Sequence, residues 1–428
     1  MKFGIFYEHQ LPRPWREGAE LDLFQQALDQ VELADRLGFD VAWEVEHHFL
    51  EEYSHSSAPE VFLGACSQRT KNIRLGHGIA LMPPNYNHPA RVAERVATLD
   101  LVSRGRVEWG TGESSSALEL GGFNIPPEQK RAQWAEAVEQ CANMLAMDPY
   151  PGFEGQYFSM PCRNVVPKPV QRPHPPLWVA CSNRETIKLA ARNGIGALTF
   201  AFVDPAEAKQ WVDDYYRILE TECVPLGHAV NANIAMVTGF SIHDDLEEAR
   251  RRGMGFRFFG YALAHHYQFG QHKPGRTDIW GNFERALPLL EARGTPGGVG
   301  TPDDLRRHLQ GFTDAGVDQV VFLQQGGRNR HEHIREAMEL FAERVMPGFK
   351  DGAEERARAK QERLAPVIAR AMARKRTMRP FTDAEIPVVE ALGRKIAEEP
   401  AAPDGRPASL GQSVREDLGL AARQPAAE

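Results

Sequence analysis

Glu44, Glu46, His47 and His48 stand together in Val41-Ala-Trp-Glu-Val-Glu-His-His-Phe49, where a short apolar run gives way to carboxylates and imidazoles. An imidazole titrates near neutrality, so it can give a proton to a bound reactant or take one from it, whereas a lysine amine would stay charged. Glu46 or Glu44 would orient that ring, with His48 as a second imidazole beside it. Two other readings fit the same residues. One is a solvated surface loop. The other is a metal site built from Glu46, His47, His48, His77 and His88, against which stands the divergence of adjacent side chains on one strand end.

A second group lies further along. Leu177-Trp-Val-Ala-Cys181 runs into Ser182-Asn-Arg-Glu185, which fits the Ser-x-x-Glu capping box and predicts a helix to Asn193. The N–H groups around Ser182, Asn183 and Thr186 would attract phosphate through geometry and dipole, although an ordinary cap has the same pattern. Gly76-His77-Gly78-Ile79 ends or interrupts a strand, and small residues there let the backbone approach a flat ring.

The elements that must position these groups follow from periodicity. Phe24, Leu28, Val31, Ala34 and Leu37 recur at helical spacing and Gly38 marks a stop, so the order is helix, glycine, strand, polar loop. Strands are predicted at 3–7, 40–45, 73–81, 106–110, 177–181, 196–199, 234–240 and 317–323, and helices near 22–37, 58–68, 90–102 and 130–147. Such alternation implies parallel strands with right-handed crossovers, and eight units favour an α/β (β/α)8 TIM barrel over an open sheet. Catalytic groups of such barrels lie where strands end, which is where His47 falls.

Two stretches interrupt the pattern. Residues 149–176 are proline-rich and read as a surface excursion. Residues 253–300 mix Phe256, Phe258, Phe259, Tyr261, Tyr267, Phe269, Trp280 and Phe283 with His265, His266 and His272. That insertion fits a lid over a pocket, or an aromatic mini-core packed on the barrel. The expected division is a barrel domain over 1–350 and a helical, partly disordered extension over 351–428.

A net charge of −8 with both signs interspersed offers no basic field for nucleic acid, which points to a small-molecule protein. Without a cleavable leader or an apolar run near the ~18 residues of a membrane span, a cytoplasmic location is expected. Cys66, Cys141, Cys162, Cys181 and Cys223 are odd in number and unpaired in spacing, so they read as thiols.

Met1-Lys-Phe-Gly-Ile-Phe-Tyr7, the Glu46-His47-His48 segment, Asn72-Ile-Arg-Leu-Gly-His-Gly-Ile-Ala-Leu-Met-Pro-Pro84, His88-Pro89 and Ser103-Arg-Gly-Arg-Val-Glu-Trp-Gly-Thr-Gly112 occur in that order. Together they resemble the bacterial luciferase-like flavin monooxygenases over roughly residues 1–200, with a weaker echo at 316–349. The resemblance implies an enzyme that uses reduced FMN and O2 to oxygenate a small organic substrate, as a homo-oligomer, a dimer, served by a separate NAD(P)H:flavin reductase. The lack of a Gly-x-Gly-x-x-Gly motif after a strand agrees with that division of labour.

On the same ground His47 is the catalytic histidine, and Glu119 faces the same rim. Arg131 holds the flavin phosphate, where a solvated helix arginine is the alternative, and a non-proline cis bond lies at Gly78–Ile79. Glu113 departs from the family, which often has arginine there, leaving Ser114 and backbone amides to help the phosphate. A deazaflavin F420-dependent oxidoreductase on the same barrel and a noncatalytic flavin-binding subunit are the alternatives.

Overall fold

The computed structural model describes residues 1–200, 202–292 and 294–390. Eight parallel strands close into the expected barrel: β1 (Lys2–Tyr7), β2 (Val41–Glu44), β3 (Arg74–His77), β4 (Val107–Gly112), β5 (Leu177–Cys181), β6 (Gly196–Thr199), β7 (Ile234–Thr238) and β8 (Gln319–Gln324). Consecutive strands pair, and the register Lys2↔Gln319 through Tyr7↔Gln324 joins the last to the first. Helices Ala19–Leu37, Pro59–Arg69, Pro89–Val102 and Lys130–Ala146 form at the expected places. In the first, Leu23, Ala27, Val31 and Ala34 make the buried stripe, and Gly38 ends it in the left-handed region at φ 85°.

Side chains alternate along each strand. Phe3, Ile5 and Tyr7 face the helices, whereas Phe6 joins Trp43, Trp178, Leu198, Val237, Val321 and Leu323 in the interior. Trp43 meets Trp178 edge to face at 5.5 Å. Gly76 is required beneath it, since a Cβ there would stand 2.2 Å from Trp43 Cε3. Trp43→Ala is therefore expected to destabilise by ~3–5 kcal/mol and Gly76→Ala by ~1–3 kcal/mol, read as lower urea midpoints. Unchanged midpoints would contradict this packing.

The third predicted strand is broken. β3 stops at His77, Gly78 N donates to Glu44 O at 2.6 Å, and Ala80–Leu81 resumes pairing against Thr111 and Gly112. The neighbouring strand crowds this point: a Cβ at Gly110 would stand 1.9 Å from His77 O. The cis peptides among the described residues all precede proline, and Gly78–Ile79 is not one of them. The expected cis bond there is absent.

The 149–176 excursion contains an antiparallel hairpin, Tyr150–Glu154 with Ser159–Arg163. Met1–Pro380 forms one compact unit that includes the helix Ala353–Met372. That helix buries Leu364, Val367 and Ala371, while Lys360 bonds Asp318 and Asn233 before β8 and β7. In the second unit, Thr382 and Glu385 form a capping box on a short 3-10 turn. Of the expected helical and partly disordered extension over 351–428, residues 391–428 lie outside the described residues. All five cysteines are buried free thiols. Among the described residues no helix is long and apolar enough to cross a membrane.

Candidate active site

The carboxyl ends of the strands carry strained backbone. His9 after β1, Phe49 after β2, Ser114 after β4, Phe202 after β6 and Gln325 after β8 all have positive φ, between 48° and 66°. Each such residue costs ~1–3 kcal/mol, a cost that concentrates at functional faces. This rim holds the titratable groups.

His47 is clasped by two carboxylates. Its Nδ1 lies 2.9 Å from Glu119 Oε1 and its Nε2 lies 3.6 Å from Glu8 Oε2. Glu119 stands in the first turn of the short helix Ala117–Gly122 and is fully buried. It also accepts from His48 N at 2.9 Å and from Ser114 Oγ. Glu8, just past β1, accepts from Tyr53 Oη at 2.9 Å. Burial works against charge on His47, but Glu119 and then Glu8 outweigh it and raise its pKa to about 9. Burial raises Glu8 to about 7, opposed by His47 and Tyr53. Burial likewise opposes the charge on Glu119, yet His47, Ser114 and the His48 amide hold its pKa below the ordinary value.

Glu46 and Glu44 do not orient His47. Glu46 accepts from Leu81 N at 2.7 Å and Asn87 Nδ2 at 2.8 Å, and lies 3.2 Å from His48 Nε2. Glu44 bonds Ser56 and lies 3.0 Å from His9 Nε2. β2 ends at Glu44, and beyond it Glu46 turns to Leu81, Asn87 and His48 while His47 turns to Glu119 and Glu8. The metal grouping of Glu46, His47, His48, His77 and His88 does not assemble among the described residues. A different one does. His265, His266 and His272 bring imidazole nitrogens within 4.8 Å of one another.

The expected phosphate anchors lie on one side of the mouth. Arg131 forks onto Glu113 at 2.7 and 2.8 Å, and Lys130 Nζ is 3.6 Å from the same carboxylate, which leaves one net positive charge among the three. Arg131 is near enough to the Cys181 thiol for each to influence the other's protonation. The capping box beyond Cys181 is one residue later than predicted. Asn183 Oδ1 accepts from Thr186 N at 3.1 Å and Thr186 Oγ1 accepts from Asn183 N at 3.3 Å, because Asn183 has the extended conformation an N-cap needs. Ser182 and Asn183 are exposed, ahead of the helix Arg184–Arg192. Gly78 packs against Trp43 and Phe6, Ile79 is buried in the interior cluster, and Ser114 is committed to Glu119.

The insertion covers this rim. Helix Met254–Ala264 buries Phe258, Phe259 and Ala262, and Phe259 lies 5.6 Å from the Tyr53 ring. Glu52 accepts from Ile279 N at 2.6 Å and Trp280 N at 3.1 Å, tying helix Ile279–Glu291 to the loop after β2. Phe258, Phe259, Trp280 and Phe283 of the insertion belong to the same apolar cluster as the barrel interior, whereas Phe269 is exposed. A surface concavity of about 500 Å³ beside Arg250, Arg257 and Glu291 takes no residue from the strand ends.

Sequence reasoning missed Glu8, Tyr53 and Tyr86. Glu8 carried a usable signal, a carboxylate directly after the first strand. Tyr86 did not. Its ring lies 6.4 Å from His48 and its hydroxyl is buried.

A closed parallel barrel with an acid–base cluster at its strand ends is the architecture of a TIM-barrel enzyme. Residues 1–319 match the family described as luciferase-like monooxygenase, and the chain belongs to that family. An uncharacterised protein of Sinorhizobium fredii, y4wF, is 34% identical over 198 residues, 45% of this chain and 55% of that one. The chain spans about half the length of that relative and of a second Sinorhizobium protein. The oxygenase component of flavin-dependent trigonelline monooxygenase of Acinetobacter baylyi is 22% identical over 372 residues, 84% of this chain and 98% of that one. Monooxygenase RslO1 from Streptomyces bottropensis superposes with a TM-score of 0.67 at 28% identity, covering 82% of this chain and 100% of that one. F420-dependent glucose-6-phosphate dehydrogenase of Microbacterium testaceum is 24% identical over 328 residues, 75% of this chain and 92% of that one.

Proposed function

We propose that the chain is the oxygenase of a two-component system, which binds reduced FMN and transfers one oxygen atom of O2 to a small organic substrate while the other leaves as water. A separate NAD(P)H:flavin reductase would supply the reduced flavin, and the enzyme would act in the cytoplasm as a dimer. The observation that carries this reading is His47 held as a cation between Glu119 and Glu8 at the mouth of the family's barrel. Glu8 Oε2, which meets His47 Nε2 only at 3.6 Å, and the buried Tyr86 hydroxyl fit a polar ligand there, since buried polar atoms find close partners. Bound reduced flavin supplies the electrons and the oxygen chemistry.

The chain's own residues do the rest. Arg131, with Lys130, the exposed Ser182 and Asn183 and the buried Thr186 at the helix start, would hold the phosphate; Gly78, Ile79 and Ser114 would face the ring. His47 Nε2 would hold a proton for the reaction while Glu119 fixes the ring through Nδ1. Glu46 sets the rim by holding Leu81 and Asn87. The insertion would act as a lid that excludes water.

A second reading, F420-dependent hydride transfer, is favoured by the F420-dependent relatives. The complete His47, Glu119 and Glu8 cluster speaks against a noncatalytic subunit. The phosphate anchor is testable. Arg131→Ala should weaken FMN binding at least ~10-fold with riboflavin little changed, because charge-assisted hydrogen bonds contribute ~1.5–3 kcal/mol. Glu113→Gln should tighten FMN by freeing the guanidinium, and equal losses for both flavins would point instead to a folding defect.

A further inference from the structure

Three imidazoles converge inside the insertion. His265 and His266 begin a π-helical turn, His265–Phe269, and His272 returns from the loop that follows. Ring centroids lie 5.2 Å apart for His265 and His266, 5.8 Å for His265 and His272, and 5.2 Å for His266 and His272. His265 is buried, and His265 Nε2, His266 Nε2 and His272 Nδ1 are buried without a hydrogen-bond partner, while His272 Nε2 faces Glu51 Oε1 at 3.4 Å. Leaving such atoms unpaired costs ~1–3 kcal/mol each, so a cluster of them calls for something that satisfies it.

From this geometry we propose that His265, His266 and His272 form a binding site for a divalent transition-metal ion of the zinc class. Three imidazoles without thiolate suit Zn²⁺, Co²⁺, Ni²⁺ or Cu²⁺ and exclude the oxygen-seeking Mg²⁺ and Ca²⁺. For metal–nitrogen bonds of ~2.0–2.1 Å, tetrahedral donors stand ~3.4 Å apart, so nitrogens now within 4.8 Å must close by at most about 1.4 Å. Small ring rotations supply that movement.

Glu51 completes the arrangement from behind. Its Oε1 lies 3.4 Å from His272 Nε2, and Arg13 and the Gly275 amide hold the carboxylate in place. A carboxylate on one imidazole nitrogen fixes the tautomer and leaves Nδ1 for the ion. A fourth position stays open to water. The ion would tie the π turn to the 270–278 loop and, through Glu51, to the segment after β2. That would pin the insertion over the mouth, where the His266 ring sits 5.8 Å from Tyr53.

The test uses the full-length protein stripped with chelator and titrated with Co²⁺, whose visible ligand-field bands report its coordination. One Co²⁺ per chain is expected, displaced by Zn²⁺, with affinity falling at least ~10-fold in each of His265→Gln, His266→Gln and His272→Gln and unchanged in His47→Gln. X-ray absorption of the wild-type cobalt protein should count three imidazoles, a readout that needs no variant to fold. Substoichiometric binding, fewer than three imidazoles, or loss of cobalt in His47→Gln with the insertion variants unaffected would each overturn the site.

Discussion

His47→Ala should lower product formed per reduced flavin by at least ~100-fold, with the electrons recovered as hydrogen peroxide, while FMN affinity changes little. The magnitude follows from general acid–base catalysis, which typically contributes ~10²–10⁴-fold. The two nitrogens of His47 face buried carboxylates that follow different strands, Glu119 at Nδ1 and Glu8 at Nε2. His48→Ala should be milder, within ~10-fold, because His48 meets Glu46 and an aromatic wall of Tyr86 and Phe123. Single-turnover product yields of the two variants, compared at equal flavin occupancy, check this. A normal yield from His47→Ala would remove His47 from the mechanism.

The second expectation concerns pH. With Glu8 at about 7 and His47 at about 9, kcat/KM should be highest between those values, where Glu8 is ionised and His47 still carries its proton. Removing the Glu119 charge with Glu119→Gln leaves burial opposed only by weaker partners, so the alkaline limb should fall from about 9 toward neutrality. Stability moves with it. The folded state keeps the His47 proton to about 9 against 6.5 for the ordinary imidazole, so this clasp stabilises fully below 6.5 and its contribution is lost as pH rises through 9. Glu119→Gln should flatten that part of the urea-midpoint profile. An alkaline limb still near 9 in Glu119→Gln would show that another group sets it.

The fold was legible because each strand and helix obeys its own period, so eight units could be counted. The break in β3 was legible only as an ambiguity, since it depends on how closely Gly110 passes His77. His47 could be found from its strand end, but its partner could not be derived from spacing: Glu119 is 72 positions away, on a helix of six residues too short to show a period. Adjacency pointed to Glu46 as the orienting carboxylate, but Leu81 and Asn87 hold Glu46 away from His47. Both Ser182-x-x-Glu185 and Asn183-x-x-Thr186 have capping-box chemistry, and only backbone conformation distinguishes them. His265, His266 and His272 follow no helical or strand period, because a π turn and an irregular loop bring them together.

Anaerobic titration with reduced FMN and with reduced F420, followed by mixing with oxygenated buffer, bears most directly on the central claim. The account predicts saturable one-to-one binding of reduced FMN, weakened at least ~10-fold in Arg131→Ala, and a reoxidation rate after mixing that differs from that of free reduced FMN. It predicts no comparable affinity for reduced F420. Tight binding of reduced F420 without binding of reduced FMN would contradict the account and assign the barrel to hydride transfer.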